Sequence, residues 1–389
     1  MTPDLKAWQR SAIRNTMANY RHAQDNYYVG GKPLVELDDG YKAFSLLTPP
    51  LGSPAARRRV KLIMENMLRS NGAVAGAGRT PHVITMAVTY NCQCDCLHCS
   101  AADYQEKTRR ENSALTFEEL KSVVGQALDL GTTCVVLTGG EPLLYERIYN
   151  LIAAVDKHRS VCTIFTNGEF LLEHTVARLK QAGVYGVFVS LDHSDPERHN
   201  IHRRRPGLAG KAYRGLKLCQ DAGILTGVST YATKENIRNG ELDAMMDLAR
   251  SLDVLEVFLF DVIPAGRLSA QRECMLSDED ARLIVEFRAK YTEKPDYPRI
   301  IHQTMFSSIA YPCVAEGCPA GMVQVHLRAN GDVSPCDFTP YSFGNIQTQS
   351  LKEIWESMSA HPLYAEPSAR CRLSQPGFWV KLSELAPVC

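Results

Sequence analysis

The chain has 389 residues, 43 basic and 43 acidic side chains, a formal net charge of zero, 45% hydrophobic and 22% charged residues. This is the composition of an ordinary globular protein, long enough for one large core and a smaller module. The charge balance argues against a dedicated nucleic-acid binder, whose surface is net basic, and with no uninterrupted apolar run of about 18 residues no transmembrane segment is expected.

The opening residues, Met1 to Lys6, lack the basic flank and apolar core of a secretory signal, so a reducing cytoplasm is the expected compartment. The 13 cysteines bunch at 92–99 and 313–336, a pattern for metal rather than disulfides. Cys134, Cys162 and Cys219 sit in apolar or amphipathic surroundings and read as buried.

Residues 1–80 read as an N-terminal extension that covers the main domain. Residues 32–47 form a candidate hairpin around Gly40, and the spacing of Val60, Ile63, Met64, Met67 and Leu68 predicts an amphipathic helix over 55–68. From 81 to 300, short β-branched runs at 83–88, 134–137, 161–165, 186–191, 225–230 and 255–260 alternate with helical periods at 116–130, 145–156, 171–181, 209–222, 234–250 and 277–289. Repeated βα units imply right-handed crossovers and a mostly parallel sheet. Six units are too few for a closed eight-stranded barrel.

The ends of these strands carry the chemistry, as loops in α/β proteins do. The first is followed by Cys92-x3-Cys96-x2-Cys99, with Cys94 inside the gap. Three thiolates are one short of the four that an iron-sulfur cluster takes, which leaves one iron open to a non-protein ligand. Cys96 and Cys99, with Cys92 or Cys94 and His98, would alternatively make half of a zinc site. After the second strand, Gly139-Gly140-Glu141-Pro142 permits close backbone approach to a ligand, or forms a plain strand-to-helix turn. Thr166-Asn167-Gly168 ends the third strand with a turn signal, Ser190 and Asp192 end the fourth, and Ser229 lies on the fifth. Arg203-Arg204-Arg205 is either a solvated face or an anion-facing patch. Residues 301–389 read as a separate C-terminal module. Asn330-Gly331 marks a hairpin between 323–327 and Val333, with Cys313 and Cys318 before it and Cys336, Cys371 and Cys389 after it.

The Cys92, Cys96 and Cys99 spacing, followed by Gly139-Gly140-Glu141-Pro142, resembles the signature of the radical S-adenosylmethionine (SAM) superfamily, and the resemblance spans residues 81–360. It implies an α/β fold with a partial six-stranded (β/α)6 TIM-like barrel, an N-terminal extension and a small C-terminal cluster-binding module. It further implies a 4Fe-4S cluster held by Cys92, Cys96, Cys99 and SAM. Gly139, Gly140, Glu141 and Pro142 would hold the SAM amino group, with Ser190, Asp192, Arg203 and Ser229 toward its ribose and carboxylate. The C-terminal module resembles a SPASM extension, through Cys318, Gly331, Cys336, Gly344-Asn345-Ile346 and the run Leu351 to Trp355. The dense final cysteine group of that extension is missing. One auxiliary 4Fe-4S cluster is therefore expected on Cys318, Cys336 and Cys371, with Cys313 or Cys389 as fourth ligand.

The activity implied is that of an oxidoreductase which cleaves SAM reductively to a 5′-deoxyadenosyl radical, and that radical abstracts hydrogen from a biosynthetic small molecule. An external one-electron donor such as flavodoxin or ferredoxin would drive it. Two other readings stand beside this one: a maturase of ribosomal peptides, and a non-catalytic zinc or iron-sulfur scaffold.

Overall fold

Alternating apolar side chains along a strand cover both faces of a pleated sheet when both faces are packed. The computed structural model, which describes residues 28–29, 31–70, 79–111, 113–302, 317–366, 368 and 370–384, shows such a sheet. The short hairpins β1 (Tyr28–Val29) with β2 (Lys32–Pro33) and β3 (Val35–Glu36) with β4 (Lys42–Ala43) precede helix α1 (Pro54–Ser70). The large sheet is built from β5 (Val83–Thr89), β6 (Cys134–Gly139), β7 (Val161–Thr166), β8 (Gly186–Ser190), β9 (Leu225–Ala232), β10 (Glu256–Asp261), β11 (Arg299–His302), β12 (Gln324–Leu327), β13 (Asp332–Ser334) and β14 (Gly344–Asn345). The helices between and after them are α2 (Ala102–Glu111), α3 (Phe117–Leu130), α4 (Ile148–Ala154), α5 (Glu173–Ala182), α6 (Pro196–Arg203), α7 (Leu208–Asp221), α8 (Glu241–Ser251), α9 (Asp278–Thr292), α10 (Leu351–Ala360), α11 (Pro362–Ala365) and α12 (Pro376–Ser383).

The six strands read from sequence are β5 to β10, each displaced by at most two residues at either end. Their order in space is their order in the chain, with all neighbours parallel. Two more parallel pairings were not anticipated: β11, itself unexpected, pairs with β10 at one edge, and β12, expected only as a hairpin arm, pairs with β5 at the other. The sheet thus has eight parallel strands and continues into antiparallel β13 and β14, but β11 and β12 do not meet, so the barrel stays open. A boundary at residue 300 cuts through β11, and the C-terminal module grows out of the barrel sheet through β12 rather than standing apart.

Other departures have local causes. The helix expected over 234–250 begins only at Glu241, because Thr233 and Asn236 exchange backbone and side-chain hydrogen bonds of 2.7 and 3.1 Å and Gly240 turns left-handed at φ 84°. The helix expected from residue 145 starts at Ile148, behind a 3-10 turn over Pro142–Leu144. Helices α2 and α6 were not anticipated, being too polar to show an apolar stripe.

The outward side chains of the strands, such as Ile84, Leu137, Ile164, Val187 and Val257, are buried under the helices. The inward set includes Val136, Phe165, Phe188, Phe258 and Phe260. Residues after β4 pack at the N-terminal end of the strands. Leu46 is wholly buried; its carbonyl accepts from Thr163 Oγ1 at 2.6 Å and its N–H donates to Glu256 Oε1 at 2.7 Å. Gly186 makes room for it, since a Cβ there would lie 2.7 Å from Leu46 Cγ. The cavity lined by the strand-end motifs lies at the C-terminal ends of the strands, while a separate one of about 360 Å³ lies at the starts of β9 to β11, beside Lys32, Leu225, Leu255 and Arg299. Cys134, Cys162 and Cys219 are fully buried. Residues 1–27, Cys313 and Cys389 lie outside the described residues, so neither proposed fourth ligand of the auxiliary cluster is placed.

Candidate active site

A cavity of about 220 Å³ opens at the C-terminal ends of β5 to β10. Cys92, Cys94, Cys96 and Cys99 line one wall and pack against one another. Among the described residues these donors do not converge on one single-ion position. A cluster asks something different, because each thiolate binds its own iron. The Cys94 thiol hydrogen-bonds both Cys92 and Cys96, which lowers Cys92 below the usual thiol range. Cys96 comes down to about 6, first through Cys94 and then, against burial, through the charge of Arg203, whose Nη1 lies 3.8 Å from its sulfur. Burial pushes Cys99 up to about 11. Two of the three proposed ligands are therefore prepared for the thiolate state that metal binding needs.

Gly139 and Gly140 line the same cavity, but their lack of side chains serves the cysteine loop first. A Cβ on Gly139 would sit 2.1 Å from Thr89 O, and one on Gly140 2.4 Å from Asn91 O. Gly140 N–H donates to Thr89 O at 2.7 Å and Glu141 N–H to Asn91 O at 2.8 Å. The glycine turn thus clamps the backbone that carries Cys92.

The Glu141 carboxylate is wholly buried and accepts from Thr166 Oγ1 at 2.7 Å, Asn167 N at 2.9 Å and Leu143 N at 3.0 Å. It ties the end of β6 to the end of β7, and burial raises it to about 7 despite those bonds. Pro142 is buried at the start of its 3-10 turn, away from the cavity. Arg203, expected toward the SAM carboxylate, lines the cavity with its guanidinium engaged by a protein carboxylate. It forks onto Asp192, with Nε to Oδ2 at 2.5 Å and Nη2 to Oδ1 at 2.6 Å. Burial works against the Asp192 carboxylate, but Arg203 outweighs it and holds the group below the usual range.

Ser190 and Ser229 fall on paired positions of β8 and β9, and Ser229 Oγ donates to Ser190 Oγ at 3.1 Å inside the cavity. His98, partly buried and held down to about 4 by desolvation, packs on Tyr231 with ring centroids 4.4 Å apart. Tyr231 and Asp261 also line the cavity and were missed, although each lies at the end of a predicted strand.

Cys318, Cys336 and Cys371 are brought together on a second cavity of about 110 Å³. The Cys371 hydrogen bond lowers Cys318 to about 6 and raises Cys371, while burial pushes Cys336 up to about 12. The two cavities share Thr138, Phe165, Phe260, Asp337 and Phe338 as lining. Asp337 was missed, though it directly follows Cys336. It accepts from Thr85 Oγ1 at 2.5 Å and pairs with His326 Nδ1 at 3.1 Å.

A thiol loop backed by a glycine turn, at the open end of a parallel barrel, is the arrangement of SAM-cleaving iron-sulfur enzymes. Residues 86–249 match the radical SAM superfamily and residues 318–373 the SPASM iron-sulfur cluster-binding domain. The chain belongs to the radical SAM superfamily, in the group that carries a SPASM domain, and is an enzyme that uses a 4Fe-4S cluster and SAM. Among its relatives is the AdoMet-dependent heme synthase of Methanosarcina barkeri, 26% identical over 74% of this chain and 85% of that protein. The Fe-coproporphyrin III synthase of the same organism is 27% identical over 71% of this chain and 74% of that protein. The fold resembles Streptococcus suis SuiB bound to the precursor peptide SuiA, with a TM-score of 0.60 at 20% identity over 80% of this chain and 70% of that one. No described helix is long and apolar enough to cross a membrane.

Proposed function

We propose that the protein is a cytoplasmic oxidoreductase in which Cys92, Cys96 and Cys99 hold the SAM-binding cluster, and the substrate is a small biosynthetic molecule seated between that loop and Cys318, Cys336 and Cys371. The observation that carries this reading is the shared aromatic lining between the two thiol sites. Phe165, Phe258 and Phe260 stack edge and face, at centroid distances of 4.4 to 6.1 Å. Such a wall favours a compact, largely apolar or aromatic substrate and keeps water from a reactive centre. The names of the two synthases above agree with a small-molecule substrate.

When bound, the cluster supplies one electron to the sulfonium of SAM and so generates a hydrogen-abstracting radical. The chain's own residues do the rest by position. The Gly139-Gly140 turn fixes the cysteine loop, and Ser190 and Ser229 offer hydroxyls to a ribose. The Asp192–Arg203 pair holds a positive charge beside Cys96. Cys318, Cys336 and Cys371 would hold the auxiliary cluster, on the far side of the substrate space.

Substrate class is tested by incubating the reduced enzyme and SAM with deuterated cell extract, split into small-molecule and peptide fractions. Deuterium should enter 5′-deoxyadenosine from the small-molecule fraction. Transfer from the peptide fraction alone would overturn the reading in favour of a peptide maturase. No cleavage with either fraction, in an iron-loaded enzyme, would favour the scaffold.

A further inference from the structure

Each thiol site has an arginine beside it, and the two arginines are paired differently. Arg203, at the first site, forks onto Asp192, so its charge is met by a protein carboxylate. Arg372 directly follows Cys371 and is only 5% exposed. Its guanidinium is fixed by main-chain oxygens: Nε donates to Leu363 O at 2.8 Å and Nη2 to Glu366 O, beside the Tyr364 ring. Nη1 is buried and finds no acceptor, and among the described residues no carboxylate pairs with the group. A buried charge without a counter-ion is strongly destabilising, and an arginine cannot shed its proton to escape.

The negative group within reach is the second thiol site. After the Cys371 hydrogen bond, and against burial, the Arg372 charge is the main influence that favours the Cys318 thiolate. The Arg372 and Ala320 N–H groups also donate to that sulfur. The turn over Arg372–Ser374 and a Cys318 N–H to Ser368 O bond of 2.8 Å hold the two segments in place. The acids that act on the neighbouring thiols are already paired, Asp261 with His302 at 2.6 Å and Asp337 with His326 at 3.1 Å. Arg372 is therefore left facing sulfur rather than carboxylate.

We propose that Arg372 is the counter-charge of the second thiol site, a positioning residue whose buried cation offsets the negative metal–thiolate group on Cys318, Cys336 and Cys371 and makes that group easier to reduce. This rests on the reading of those three cysteines as cluster ligands. A thiolate-bound cluster becomes more negative with each electron it takes up, so fixed positive charge and hydrogen bonds to its sulfurs raise its potential.

The test is an EPR-monitored redox titration, with dithionite as the one-electron donor, of the full-length protein carrying Cys92→Ala, Cys96→Ala and Cys99→Ala. In this parent only the second site holds iron. Arg372→Gln, which still donates to a main-chain oxygen but has no charge, should lower the equilibrium constant for reduction about tenfold, a shift of about 59 mV to more negative potential. Arg372→Lys, which keeps the charge but not the paired hydrogen bonds, should stay within about twofold of the parent. An Arg372→Gln protein without iron, beside an Arg372→Lys protein with the parent's amount, would equally bear out the counter-charge. Any other pattern would overturn it: unchanged potentials in both, equal shifts or iron losses in both, a positive shift in Arg372→Gln, or a change confined to Arg372→Lys. No iron in the parent would instead overturn the reading of Cys318, Cys336 and Cys371 as ligands.

Discussion

Cys92, Cys96 and Cys99 are presented by one loop after β5, beside a charged guanidinium, whereas Cys318, Cys336 and Cys371 come from three separate segments and meet against phenylalanine rings. Both sites lower one thiol to about 6 by the same means, a neighbouring cysteine's hydrogen bond helped by an arginine's charge. At the first, Arg203 adds its charge to the Cys94 hydrogen bond. At the second the main lowering influence on Cys318 is the hydrogen bond from Cys371, with Arg372 adding to it. The difference lies in the setting: the first site is one contiguous loop on the larger cavity, and the second is assembled from separated segments against Phe165, Phe258, Phe260 and Phe338.

The comparison is sharpened most by removing the second site. Cys318, Cys336 and Cys371 replaced together by alanine should abolish substrate conversion and lower the iron content by roughly half, since each cluster holds up to four irons. Iron analysis and product detection by mass spectrometry check this; full conversion at half the iron would mean that the second site has no part in turnover.

Breaking the charge pair at the first site should matter next. Arg203→Leu leaves Asp192 buried without its partner and should cost about 3–5 kcal/mol in denaturant unfolding, an effect that replacing both residues by apolar ones should largely relieve. An additive double replacement would show that the pair does not act as a unit.

A pH titration separates the thiol sites from the barrel floor. Glu256, at the floor, is raised by burial from 4.5 to about 7. The native state therefore keeps a proton that the unfolded chain has lost between those values, so this group's contribution is full below about 4.5 and lost as pH rises through 7. Glu256→Gln should remove a fall on the order of 3 kcal/mol across that window. Cys96 and Cys318 act oppositely in the cluster-free protein, because their lowered thiols lose protons before the unfolded chain does, and stability rises from about pH 6 toward 9. A wild type and Glu256→Gln with the same pH slope would contradict the assignment.

The smallest effect concerns the glycine clamp. Gly140→Ala should cost about 1–3 kcal/mol and reduce iron loading at the first site, because the new methyl meets Asn91 O. Gly210→Ala on α7, where nothing lies within 4 Å, should be neutral or slightly stabilising in the same thermal melts.

Much of this molecule was legible because its signals are local. Short β-branched runs located β5 to β10, and Cys92, Cys96 and Cys99 within eight residues marked the first candidate site. What escaped depends on distant pairing. Strand β11 is four residues long and shows its nature only beside β10, and β12 reads as a hairpin arm until β5 is found on its other side. Ser190 and Ser229 were each visible, but the register that couples them was not. Glu141 and Arg203 stood out in the sequence, but their protein partners, Thr166 in one case and Asp192 in the other, are set by how neighbouring strands and α6 come together.

The central claim is tested most directly by 5′-deoxyadenosine formed anaerobically from SAM and dithionite in two iron-reconstituted triple variants. With Cys92, Cys96 and Cys99 replaced by alanine none should form, whereas with Cys318, Cys336 and Cys371 replaced it should still form. Cofactor cleavage that survives the first set of replacements, or disappears only with the second, would contradict the account.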